Sequence, residues 1–293
     1  MNPDVGYLSD VWRLTISASG SASWQQLTVS DEDNAPVARD KHALASVGGK
    51  IVLFGGFGLV EEEENGSCDG SSASGCDEDG SDSGSGSDAS GSEDEPAALF
   101  KWFDDLWELH LDNAAGSCSW QRAVAINGGP SCRAAPASAV HDDAMLIFGG
   151  RLANGGATPR DNALWRLTYC TDESKWRWQL VHAGDQDGSS SACPPGRSAA
   201  AAACLENGSF VVSGGTGNDS KALADVWVFA HDRWRSVSSS SIVAPAARSA
   251  ACCVALPSSA VLLAFGSSGL DVATGISATF VYARCLLSPA LAC

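Results

Sequence analysis

The sequence predicts an all-β fold assembled from repeated four-stranded units. Three recurring patterns point there. Eight of the ten tryptophans fall into two linked series, apolar runs that end in glycine occur four times, and a proline followed three residues later by an arginine occurs four times. Hydrophobic residues make up 44% of the 293, enough for a core of ordinary globular size.

The first tryptophan series closes short leads: Asp10-Val11-Trp12, Asp105-Leu106-Trp107, Ala163-Leu164-Trp165 and Asp225-Val226-Trp227. The second, Trp24, Trp120, Trp178 and Trp234, follows 7 to 13 residues later. The apolar runs are Ile51–Gly56, Leu146–Gly150 and Phe210–Gly215, with a degenerate copy at Val261–Gly266. The Pro/Arg pairs are Pro36/Arg39, Pro130/Arg133, Pro194/Arg197 and Pro245/Arg248. The arginines are 94, 64 and 51 residues apart, and setting aside the 41 residues 59–99 reduces the first spacing to 53. Such a period, with four short apolar segments per copy, gives one four-stranded unit per repeat.

Within each unit, candidate innermost strands are 42–47, 135–140, 198–205 and 249–256. Each leads into a tight turn, Gly48-Gly49, Asp142-Asp143, Asn207-Gly208 or Ser258-Ser259, of the kind that favours short hairpins. Ala199–Ala203 is five alanines, and local propensity there favours a helix. The repeat register overrides it, placing the segment between Arg197 and the Asn-Gly turn as a strand whose small side chains suit a crowded axis. The Gly-Gly pairs are expected to supply backbone freedom where the second strand leaves its unit. Both tryptophan series are expected to pack units together.

Residues 59–99 stand apart. Of the formal charge of -17, 13 units lie between Glu61 and Glu95, which hold no basic residue; the rest of the chain carries only -4. That stretch is 17 Ser or Gly out of 35. It has too little apolar surface to offset its ordering entropy and is expected to be a disordered insertion within a single domain spanning 1–293. Ser87 and Ser92 precede acidic residues and are candidate phosphorylation sites.

Taken in order, Arg, an apolar strand, a turn, a strand ending Gly-Gly, and Trp in the later strands, these residues resemble the kelch family, over nearly the whole chain outside the insertion. The resemblance implies a β-propeller, each repeat supplying blade strands A to D from the axis outward. Two strands before the first full repeat and three after the last give about five blades with the first and last incomplete. The expectation is an open or truncated arc of a six- or seven-bladed propeller, or a half that closes by oligomerising. No BTB-like or F-box-like segment is expected before Leu8.

On that fold, Arg39, Arg133, Arg197 and Arg248 each begin an innermost strand and form an arc near the channel mouth. Two readings stand. Each guanidinium hydrogen-bonds backbone as part of the repeat, or the arc receives a carboxylate-bearing peptide; arginines at this position bind acidic motifs in some kelch proteins. The insertion lies in a B–C loop on the same face, where it is expected to compete for the arc. The leading expectation is a non-catalytic protein-interaction module with a protein or acidic peptide partner. The alternative is a propeller enzyme with a metal or carboxylate site at the channel mouth. Its motifs are incomplete: kelch proteins that redirect glucosinolate breakdown use Glu-x-x-x-Asp-x-x-x-His for iron, and here Glu108 and Asp112 are followed by Gly116. No cofactor or metal is expected. Nothing points to nucleic acid, since no basic cluster exists, or to a membrane, since no long apolar run exists. Eleven irregularly spaced cysteines and a start without a signal segment suggest a reducing compartment, the cytoplasm or the nucleus.

Overall fold

Alternating burial along short, glycine-bounded segments produces strands throughout. The computed structural model describes residues 6–61, 98–153, 159–185, 192–237, 244–257, 259–268 and 283–286, and its regular elements are all β. Among the described residues the first blade holds a hairpin, β1 (Val11–Ile16) with β2 (Ala22–Val29). The second holds β3 (Ala43–Val47) and β4 (Lys50–Phe54). A ribbon of β5 (Phe57–Glu61) and β6 (Ala98–Trp102) follows, and β7 (Leu106–Asp112) and β8 (Ser117–Ala123) complete that blade. Next, β9 (Ala125–Ile126) crosses to the following blade and β10 (Arg133–Ala134) enters it.

The third blade is β11 (Ala137–His141), β12 (Ala144–Phe148), the short β13 (Arg151–Leu152), β14 (Leu164–Cys170) and β15 (Lys175–His182). The fourth is β16 (Arg197–Ser198), β17 (Ala201–Cys204), β18 (Phe210–Ser213), β19 (Thr216–Gly217), β20 (Val226–Ala230) and β21 (Arg233–Ser236). The last is β22 (Cys252–Leu256), β23 (Ala260–Ala264) and β24 (Ala283–Leu286). Three complete antiparallel blades therefore lie between two incomplete ones, as the repeats imply.

Each apolar cluster crosses a blade boundary. Phe54 and Val52 of the second blade pack with Met145, Ile147 and Trp178 of the third. Phe148 and Leu164 of the third pack with Phe210, Trp227 and Trp234 of the fourth. The contact repeats in detail: Phe54 meets Trp178 edge-on with centroids 4.9 Å apart, and Phe148 meets Trp234 in the same way at 5.0 Å. A blade is thus stabilised mainly by its neighbours, as expected where stacked units share a core.

Several expectations are corrected. The alanine stretch is extended, but the strand begins at Ala201, because Ala199 adopts a left-handed conformation with φ of 52°. Lys41, Ala135 and Ala250 occupy the same position in their repeats, with φ between 51° and 54°. Their amides form an axial chain, Ala250 to Ala199, Ala199 to Ala135 and Ala135 to Lys41, each N···O 2.8 Å. This girdle links blades, so each innermost strand is kinked where the sequence suggests one continuous run.

The insertion is narrower than 59–99. Leu59–Glu61 and Ala98–Leu99 pair within the β5–β6 ribbon. Residues 62–97, with Ser87 and Ser92, lie outside the described residues. The third C-terminal strand runs over Ala283–Leu286 among the described residues. Packing by both tryptophan series holds only in part: Trp178 and Trp234 are 4% and 5% exposed, whereas Trp12 and Trp24 are 50% and 66% exposed.

Candidate functional site

The repeat arginines lie beneath the loop face. Arg197 is fully buried. It donates through Nε to the Pro195 carbonyl (3.1 Å), through Nη1 to the Gly214 carbonyl (2.9 Å), and through both Nη atoms to Asp225 (2.6 and 2.7 Å). Arg39 repeats the pattern with Val37, Gly55 and a bidentate Asp105. Arg133 does so with Ser131, Gly149 and Asp161. Each carboxylate immediately precedes or closely leads into strand C, so one guanidinium ties strands A, B and C of its blade. Such paired, buried charges are costly to separate.

Electrostatics agree with this geometry. Burial pulls the Asp225 carboxyl up, but the Arg197 guanidinium and the Trp227 indole N–H outweigh it and leave it below its ordinary value. Burial pulls the Arg133 guanidinium down, against the opposing pull of Asp161. The Gly-Gly pairs complete the joint. The amides of Gly56, Gly150 and Gly215 donate to the carbonyls of Arg133, Arg197 and Arg248 of the following blades, at 2.8 to 2.9 Å. A Cβ on Gly149 would sit 2.5 Å from the Arg197 carbonyl, and φ there is 67°, so only glycine fits without strain.

Arg248 belongs to the degenerate repeat. It is 6% exposed and donates to the Ala246 and Phe265 carbonyls, but among the described residues no carboxylate lies within ion-pair distance. Phe265 stands where the other repeats carry glycine, with φ of 63°. The four arginines are thus brought to equivalent positions, and their guanidinium groups are committed to holding blades rather than turned to solvent.

Above them lies a second set of cations that the repeat pattern leaves unmarked. Lys41 occupies the kink position held by alanine in the other copies, and its side chain is half exposed beside Asp40 at 3.0 Å. Arg151 follows Gly149-Gly150 directly, and its backbone pairs antiparallel with that of Arg160 across the loop. Arg160 donates from Nε to the Ser198 hydroxyl at 3.1 Å, and its backbone amide donates to Asn218 Oδ1 at 2.7 Å. Burial first and Arg151 second hold its guanidinium below the ordinary value, against the pull of Asp219. Neither Arg151 nor Arg160 forms an ion pair among the described residues. Those two positions could have been singled out as departures from their own repeat.

An aromatic ledge adjoins the cations, carried by the ribbon. Phe57 stacks on Phe100 at 5.2 Å and meets Trp102 edge-on at 4.6 Å. Lys41 Nζ stands 5.2 Å from the Phe57 ring, and the Arg151 guanidinium 5.6 Å from Trp102. Phe100 is exposed.

The residues nearest an iron motif are engaged elsewhere. Glu108 is buried and accepts from Lys50 Nζ and from Trp176 Nε1 of the next blade (3.1 Å). Asp112 caps a turn, accepting from the amides of Ala114 and Ala115 at 3.0 Å. Among the described residues, no group of three or more His, Cys, Asp and Glu is placed to hold a metal ion.

Comparison with known proteins agrees with the repeat geometry. The solved structure of YjhT superposes with a TM-score of 0.58 at 13% identity, over 95% of this chain and 78% of that one, a likeness of fold. The F-box/kelch-repeat protein At1g51550 of Arabidopsis thaliana is 26% identical over 250 residues, covering 82% of this chain. The chain spans about 41% of that relative's length. The family model described as the KLHDC2/KLHL20/DRC7 Kelch-repeats domain matches residues 91–266, well over half of the sequence. With the Arg–Asp clamp and the Gly-Gly joint recurring blade after blade, the chain belongs to the kelch-repeat family.

Proposed function

We propose that this chain is a non-catalytic protein-interaction module whose loop face takes an acidic peptide segment. The observation that carries the reading is the Arg151–Arg160 pair, two neighbouring guanidinium groups, one drawn out of water, with no carboxylate paired to either among the described residues. Lys41 and the Phe57, Phe100 and Trp102 ledge flank the pair. A planar guanidinium suits a carboxylate bidentately, and the rings supply apolar contact beside it. The role foreseen for the repeat arginines passes to Lys41, Arg151 and the half-buried Arg160. Buried cysteines outside disulfides, among them Cys118 and Cys193, support a reducing compartment such as the cytoplasm or nucleus.

Fluorescence anisotropy with a labelled Asp/Glu-rich peptide tests the proposal. Binding should weaken at least about tenfold in Arg151→Glu and Arg160→Glu, and should fall with added salt. Equal affinity for an acidic peptide and an uncharged one of the same length, or no change in either variant, overturns it.

A further inference from the structure

Two neighbouring blade boundaries share one backbone register and differ in the side chains that fill them. From that difference we propose that the cleft between the third and fourth blades binds a free aromatic α-amino acid. The cleft opens at the A–B and C–D turns, at the opposite end of the strands from the loop face that carries Arg151 and Arg160. Its volume is about 400 Å³, within the range of small-molecule sites.

The boundary between the second and third blades shows how this space is filled when the chain supplies the groups itself. Glu108 on β7 is buried and accepts from Lys50 Nζ of its own blade and from Trp176 Nε1 of the next at 3.1 Å. Tyr169 closes the set, with Lys50 Nζ 4.4 Å from its ring centroid and the Trp176 ring edge-on at 5.0 Å. An anion, a cation and an indole satisfy one another between the blades.

The register carries each of these positions one blade further. The pairs Phe54–Leu106 and Phe148–Leu164 align strands B and C, so Ala144 stands in the place of Lys50 and Arg166 in that of Glu108. Ser213–Val226 aligns the fourth blade in the same way, which puts His231 in the place of Tyr169. Tyr169 pairs with Trp176, and the residue across the turn from His231 is Asp232. The matching ring contacts Phe54–Trp178 and Phe148–Trp234 show that both boundaries stack alike.

Each exchange removes a partner. The ammonium is lost at Ala144, the indole is lost at Asp232, and the charge is reversed at Arg166. Arg166 on the third-blade wall and Asp232 on the fourth are both exposed, and among the described residues neither forms an ion pair, with the other or elsewhere. A tryptophan side chain spans the equivalent gap one blade earlier, and an aspartate is too short to do so. Asp142, the other carboxylate at the cleft, lies 3.4 Å from His141 and is turned to solvent. Leu146, Val181 and Phe229 form an apolar floor at the edge of the core.

An aromatic α-amino acid supplies what is missing. Its carboxylate suits Arg166, with the Gln179 amide on the neighbouring strand beside it. Its ammonium suits Asp232, and its ring lies on the apolar floor in the space that an indole fills at the preceding boundary.

Isothermal titration calorimetry on the full chain, with L-tryptophan as the probe, tests the proposal. Tryptamine lacks the carboxylate, N-acetyl-L-tryptophan the ammonium and L-alanine the ring, and each should bind at least about tenfold more weakly. Arg166→Glu and Asp232→Asn, both at exposed side chains, should weaken L-tryptophan by a similar factor. Gln179→Glu should do the same by giving Arg166 a carboxylate within the chain. Arg166→Glu should also favour tryptamine over L-tryptophan. All three variants should keep the parent's thermal midpoint and its affinity for an acidic peptide on the opposite face. No heat from L-tryptophan at millimolar concentration, equal affinity for L-tryptophan and tryptamine, or three variants that bind as the parent does overturns it.

Discussion

The third and fourth blades and the two terminal half-blades share one repeat pattern but not one environment. In the middle of the chain Trp178 and Trp234 pack on the preceding blade, the repeat arginines Arg133 and Arg197 hold carboxylates, and Gly149 and Gly214 fill the left-handed turn after strand B. At the ends the same residue types differ: Trp24 is exposed where Trp178 and Trp234 are buried, and among the described residues no carboxylate stands within ion-pair distance of Arg248, where Arg197 holds Asp225. The lesson is that a kelch repeat is not a self-sufficient unit. Its tryptophans are buried only where a neighbouring blade packs on them.

The comparison can be broken at the clamp first. Arg197→Ala strands the Asp225 carboxylate and the Gly214 carbonyl, and should lower unfolding stability by about 3–5 kcal/mol. Arg248→Ala, which breaks no ion pair seen here, should cost about 1–3 kcal/mol. Urea denaturation of the two variants measures the gap, and equal losses would remove the distinction between middle and end.

The tryptophans give the next contrast. Trp234→Ala empties the space against Phe148, Phe210 and Phe229 and should cost about 3–5 kcal/mol. Trp24→Ala, on a side chain that is largely exposed, should stay within about 0.5 kcal/mol. Thermal midpoints of both report it.

Acid sharpens the clamp further. The Asp225 carboxyl lies below its ordinary value in the folded chain, so its contribution is full above the unfolded-state value near about 4 and is lost as pH falls through the lower folded-state value. Asp225→Asn should flatten that part of the stability profile between about pH 5 and pH 2. A variant with the parent's acid dependence would contradict the clamp.

The smallest effect concerns the backbone. Gly149→Ala meets a carbonyl at a left-handed position and should destabilise by about 1–3 kcal/mol. Phe265→Gly, at the equivalent position of the last repeat, should relieve strain and stabilise by up to about 1 kcal/mol. Opposite signs at equivalent positions are the expected readout.

Much of this fold is legible in the sequence because its signals recur. A single Gly-Gly or Trp says little, but four copies in one order specify strands, turns and blade boundaries, even against the helix propensity of Ala199–Ala203. The kink at Ala199 is not legible, because a left-handed alanine leaves no mark in composition; it is imposed by the hydrogen bond to Ala135 of the neighbouring blade. The site was read only in part. Arg39, Arg133, Arg197 and Arg248 stand out because they repeat, and they repeat because they build the frame. Lys41, Arg151 and Arg160 are the cations on the loop face, and they are inconspicuous because each departs from its repeat.

Repetition of chemistry along the chain determined by itself that the fold is built from four-stranded blades and which residues recur. Only the tertiary structure decided which recurring residues are buried and which meet solvent. The physical reason is that a side chain's burial depends on the blade packed beside it, and that neighbour is absent from any one repeat's own sequence.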